Sequence, residues 1–161
     1  MIWLRTLFFA VTFVATTLVL VPSWIVRRAG PPRLAGGALG AAGVLLLAAG
    51  VALMLWCWRD FAVRGRGTPA PFDPPRRLVI AGPYRYVRNP MYLAAELILL
   101  GQAALFAVPA LVGYAALFGL AAHAFVVGYE ERALAHRFGE EYAEYRATVP
   151  RWVPRKRGSR V

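Results

Sequence analysis

Four apolar stretches, at about residues 4–26, 35–58, 91–107 and 110–128, decide what this chain can fold into. Crossing the hydrocarbon core of a bilayer takes roughly 20 residues of helix, and within it every backbone amide and carbonyl must be satisfied inside the segment. Leu7 to Val26 is an uncharged run of that length between Arg5 and Arg27-Arg28. It reads as a retained membrane helix, because a cleaved signal has a shorter apolar region followed by small residues. Ala35 to Trp58 carries Gly36, Gly40, Gly43 and Gly50 along one helical face. That face predicts close contact with another helix, since packing drives helix association in lipid.

The third and fourth stretches are joined by the uncharged Val108-Pro109 and read as a helical hairpin. Beyond Gly128, Leu134, Phe138, Tyr142 and Tyr145 recur among charged residues, which predicts an amphipathic helix broken at Gly139. The expected fold is all-α: a single polytopic membrane domain with four transmembrane helices and a C-terminal amphipathic helix. A hydrophobic content of 59% agrees, because it exceeds what a soluble domain of 161 residues carries.

A net charge of +11 raises the possibility of nucleic-acid binding, but the positions of the charges argue against it. With both termini cytoplasmic, only Arg27, Arg28 and Arg33 of the 19 lysines and arginines lie outside, which is the positive-inside pattern. The same asymmetry, with an Ala- and Arg-rich composition, points to a bacterial inner membrane. Arg155-Lys156-Arg157 and Arg160 are expected to rest on anionic lipid headgroups. One cysteine, Cys57, permits neither an internal disulfide nor a Cys-rich metal site.

The segment 59–90 is expected to be a cytoplasmic loop, broken by Gly65, Gly67, Pro69, Pro71, Pro74 and Pro75. Within it, Leu78-Val79-Ile80 fits either a strand-like or a membrane-dipping segment. The loop ends in Gly82-Pro83-Tyr84-Arg85-Tyr86-Val87-Arg88-Asn89-Pro90-Met91-Tyr92. Pro90 disfavours helical geometry at Asn89 and suits the first helical position, so a helix starts there with its free amides facing Tyr84 to Asn89. Donors gathered in this way suit a carboxylate or another polar ligand group. Alternatively, Arg85 and Arg88 anchor the helix at the headgroups and Tyr84 and Tyr86 form an interfacial belt.

Two ionisable residues, Glu96 and His123, fall inside apolar stretches, where burial is costly and function is the default reading. A Glu96–His123 contact across the hairpin is expected, either catalytic or as a polar pair that pins the two arms. The hairpin also sets Arg88 to Tyr92, at the start of one arm, level with Glu130-Glu131 at the end of the other.

Three motifs occur in order: residues 82–92, Glu130-Glu131, and Phe138-Gly139-Glu140-Glu141-Tyr142 through Tyr145-Arg146 to Val149-Pro150-Arg151. In these motifs, over about residues 65–154, the chain resembles the isoprenylcysteine carboxyl methyltransferase and phospholipid methyltransferase family of integral membrane enzymes. The resemblance implies an S-adenosylmethionine-dependent methyltransferase that receives a lipophilic acceptor from the bilayer. It implies cofactor binding by Arg88, Pro90, Tyr92, Glu130 and Glu131, to which the helix start adds Tyr84 and Asn89. Glu96, His123 and Arg146 are the candidate catalytic residues. Asn89 stands where the family commonly has His and Ala94 where it has Gly, so a role needing an imidazole proton at position 89 is not available. A carboxylate, amine or thiol would each suit as acceptor atom. The competing reading is a small membrane transporter or non-catalytic subunit with Glu96 as an intramembrane ion site.

Overall fold

The computed structural model of the protein describes residues 11–65 and 77–154. These residues form helices α1 (Val11–Ala29), α2 (Gly37–Arg64), α3 (Pro90–Phe106) and α4 (Pro109–Thr148), with a 3₁₀ turn at Gly82–Arg85 and no strand among the described residues. Three of them, α1, α2 and α4, are long and apolar enough to cross a membrane, while α3 has 17 residues. The basic tail and the Gly- and Pro-rich part of the 59–90 segment lie outside the described residues. So does the beginning of the first apolar stretch. Leu78-Val79-Ile80 is neither helix nor strand and buries Val79.

Several boundaries differ from the sequence expectation. Helix α2 continues past Trp58 to Arg64 through a wide turn at Phe61–Gly65, so the first residues of the expected loop are helical. Nothing in Arg59 to Arg64 breaks a helix, and the first glycine comes at position 65. Helix α4 likewise runs from the hairpin turn to Thr148, although its uncharged part ends at Gly128. Its one non-helical residue is Gly139 (φ 52°, ψ −121°), where the chain bends as the glycine suggested.

The glycine face is the seam between α2 and α3. A Cβ on Gly43 would strike the backbone of Leu105 and Gly101, one on Gly50 the backbone of Ala94 and Ile98, and one on Gly101 the backbone of Leu47 and Gly43. Only bare glycine backbone lets the axes approach this closely. Gly36 and Gly40 take no part: the first faces open space and the second lies against the Ala35 carbonyl of its own segment.

Helix α1 is held by polar contacts. Its wide turn at Thr16–Leu20 accepts two side-chain hydrogen bonds on backbone carbonyls. Gln102 Nε2 donates to Leu18 O at 2.8 Å and the Tyr114 hydroxyl donates to Thr17 O at 3.0 Å. Leu18 then packs with Met54, Ala95, Leu99 and Ala115 in the central core. The hairpin closes through Ala107 in the left-handed region (φ 50°) and a Val108 N–H bond to Ala103 O at 3.2 Å. That is the geometry of a helix stop ahead of a proline-started helix.

Candidate functional site

The site grows from the start of α3. Pro90 takes the first helical position and Asn89 stays outside helical geometry (φ −125°, ψ 52°), as the Asn-Pro pair demands. Before it, the 3₁₀ turn begins at Gly82 with φ 55°, where a Cβ would run into the Asp60 carboxylate. Tyr84 is buried edge-on against Phe61, with ring centroids 5.4 Å apart.

Beyond α4 the chain returns to this turn. After α4 stops at Thr148, residues 149–152 form a strap across the start of α3. The Arg88 amide donates to Pro150 O at 2.9 Å, Asn89 Nδ2 donates to Arg151 O at 3.3 Å, and the Tyr145 hydroxyl donates to Tyr84 O at 2.7 Å. Tyr142, Tyr145 and Val149 bury together under this closure.

Each residue of the Glu130-Glu131 pair has a partner from the start of α3. Arg88 Nη2 lies 3.2 Å from Glu131 Oε1, and Tyr92 donates its hydroxyl proton to Glu130 Oε2 at 3.0 Å. The wide helical turn at Val126–Glu130 sits immediately before Glu131. Such turns widen a helix by one residue and recur at functional sites. Arg151 grips Glu131 with two donors, Nε to Oε1 at 2.6 Å and Nη2 to Oε2 at 3.0 Å. Burial pushes the Glu131 carboxyl upward, but the Arg151 hydrogen bonds and the charges of Arg88, Arg151 and Arg146 outweigh it and hold the group below its ordinary value. Glu130 moves the other way, raised by burial and by its neighbour Glu131 against the pull of the Tyr92 hydroxyl.

Next to this network a cavity of about 250 Å³ opens between α3 and α4, walled by Tyr92, Leu93, Glu96, Gly119, Ala122, His123 and Trp152. It lies at the small end for a ligand pocket and suits a headgroup or a short reactive end. Glu96 and His123 both reach it, but the expected contact between them does not form. Glu96 lies against Gly119, one helical turn before His123, while His123 Nδ1 accepts the Trp152 indole N–H at 3.0 Å. Gly119 and His123 are four residues, about 6 Å, apart along α4. Arg146 is exposed on α4 and lines a separate shallow groove with Tyr142, away from Glu96 and His123.

Sequence reasoning missed two residues. Asp60, 1% exposed, holds Oδ1 3.7 Å from Arg64 and 3.8 Å from Arg59, and its Oδ2 has no hydrogen-bond partner among the described residues. A single acid closing a long apolar run was its only trace in the sequence. Trp152 had none beyond its place after the third motif.

The residues fit a zwitterionic, cationic cofactor. Among the described residues the buried Arg88 Nε has no partner, a donor left over beside Glu131, and Glu130 adds a second carboxylate within reach of Tyr92. The family model described as Phospholipid methyltransferase matches residues 39–141, which take in α2, α3 and α4 just past its bend. No curated protein and no solved structure gives a significant match to the chain.

Proposed function

The chain belongs to the phospholipid methyltransferase family, and on that premise we propose that it methylates a lipophilic acceptor in the membrane with S-adenosylmethionine as donor. When bound, the cofactor supplies a methyl group made electrophilic by a sulfonium. Arg88, Tyr92, Glu130 and Glu131, with Tyr84, Asn89 and Pro90 shaping the helix start, hold it at the membrane surface. Glu96 and His123 face the acceptor group in the cavity between α3 and α4. Arg146 acts on the site through its charge on Glu131.

The observation that carries this reading is the pairing of the start of α3 with the end of the apolar part of α4, directly beside the cavity. A polar cofactor arriving from the cytoplasm and a lipid-borne acceptor arriving from the bilayer would meet at that boundary. The protein's task is alignment of the two and exclusion of water. In this reading α3 is a fourth span, its short length offset by the residues before Pro90. Both termini and the charged half of α4 lie on the cytoplasmic side of a bacterial inner membrane, where that half is an amphipathic surface helix.

Calorimetric titration of S-adenosylmethionine and S-adenosylhomocysteine into the detergent-purified protein, with Glu130→Gln in parallel, tests the proposal. Micromolar binding that the substitution removes is expected. Absence of binding to well-folded protein would return Glu96 to the role of an ion site in a transporter.

A further inference from the structure

We infer that Trp152 is a positioning residue for the cavity: by donating its indole N–H to His123 Nδ1 it fixes the imidazole as a hydrogen-bond donor and leaves Glu96 as the one free base on the wall. The inference rests on the reading of this cavity as the acceptor site, and it adds a residue beyond the stretch matched by the family model, which ends at residue 141.

An indole nitrogen only donates. At 3.0 Å from Trp152 Nε1, His123 Nδ1 therefore offers its lone pair, and the hydrogen of the neutral ring sits on Nε2. The indole is not free to swing away. It stands edge-on to Tyr92, with centroids 6.3 Å apart, on a strap pinned by the Arg88 amide, Asn89 and the two bonds from Arg151 to Glu131.

The remaining polar groups of the cavity are then accounted for. Tyr92 spends its proton on Glu130, and Trp152 spends its own on His123. Glu96 makes no hydrogen bond or ion pair among the described residues, and Gly119 has no side chain to displace it. When an acceptor sheds a proton, its X–H bond breaks and an O–H bond forms on the Glu96 carboxylate. His123 meanwhile donates from Nε2 to an oxygen of the acceptor's headgroup, so the lone pair of the acceptor atom stays free to take the methyl group. Without the indole bond either imidazole nitrogen can carry the hydrogen, and the division of labour between Glu96 and His123 is lost.

The chain has only two histidines, and the second, His136, is exposed on α4, so ¹⁵N-histidine labelling of the full-length protein in micelles gives a readout with its own internal reference. The expected spectrum shows the neutral form of His123 with an unprotonated Nδ1 and a protonated Nε2. Trp152→Phe, which keeps a ring beside Tyr92, shifts the Nδ1 resonance of His123 and leaves His136 unchanged. A hydrogen on Nδ1 of that neutral form in the wild type, or a His123 spectrum indifferent to Trp152→Phe, overturns the inference. If Trp152→Phe does not fold, the wild-type spectrum decides alone. In a second arm, labelled methyl transfer into phosphatidylethanolamine–phosphatidylglycerol vesicles is lost in Glu96→Gln and only reduced in His123→Gln, which keeps an N–H donor. The reverse order overturns the inference, whereas failure of the wild type to bind S-adenosylmethionine strikes the cofactor reading and leaves the spectral result standing.

Discussion

Arg88 and Glu131 come within 3.2 Å of each other with side chains only 9% and 10% exposed. Removing Glu131 leaves the buried Arg88 charge uncompensated, whereas removing Arg88 leaves Glu131 its two bonds from Arg151. Glu131→Gln alone should destabilise the protein by about 3–5 kcal/mol, and Arg88→Ala by clearly less. Thermal unfolding in detergent would check this, and the double substitution should cost clearly less than the two single losses together.

The depressed Glu131 carboxyl makes the closure of the strap depend on pH. A carboxylate whose folded value lies below its unfolded one contributes stability above the ordinary value of 4.5, and loses it as pH falls through the lower folded value. The unfolding midpoint should hold down to the ordinary carboxylate range and drop below it. In Glu131→Gln that part of the acid dependence should be absent, as pH-resolved melting curves would show.

The seam between α2 and α3 has no room for a side chain. Gly50→Val or Gly101→Val should cost about 1–3 kcal/mol through overpacking of backbone against backbone. Gly113→Ala, whose Cβ meets open space, serves as the control and should leave the unfolding midpoint unchanged. Equal effects at all three positions would contradict the close approach.

Gly119 reserves the place of the Glu96 carboxylate. Gly119→Ala should push that carboxylate out of position while leaving the helix intact, and a displacement of about an ångström at a reacting group costs on the order of 10²-fold in rate. The expected result is depressed methyl transfer with S-adenosylmethionine affinity retained, read by turnover and calorimetry on the same preparation.

Gly82 carries two constraints, a positive φ and the Asp60 carboxylate where its Cβ would go. Gly82→Ala should therefore lower the unfolding midpoint. Adding Asp60→Ser should recover the steric part and leave the backbone part, about 1 kcal/mol. Recovery of none of the loss would separate Gly82 from Asp60.

Much of this architecture is legible because membrane helices obey few rules. Gly43 and Gly50 announce their seam by spacing, and Val108-Pro109 announces the hairpin by its lack of charge. Once a hairpin is drawn, Arg88 must fall level with Glu131, and it does. What escaped depends on how the chain returns on itself. Asp60 is buried because the Gly82 turn folds over it, and the arginines beside it make it look solvated in sequence. The Glu96–His123 contact fails because the depth mismatch that counting from the hairpin tip gives is not bridged by the side chains, which settle against Gly119 and Trp152 instead. Trp152 reaches a partner 29 residues earlier only because α4 bends at Gly139 and stops at Thr148.

The strap has a consequence for the order in which the protein is made. Arg88 and Asn89 leave the ribosome some sixty residues ahead of the carbonyls that receive their hydrogen bonds at Pro150 and Arg151. Until residues 149–152 emerge, the start of α3 lacks its cover and the cavity lacks its Trp152 wall. A nascent chain halted between the end of the apolar part of α4 and residue 149 holds all its apolar helices yet has an unfinished site, so competence arrives with residues 149–152 and not with membrane insertion.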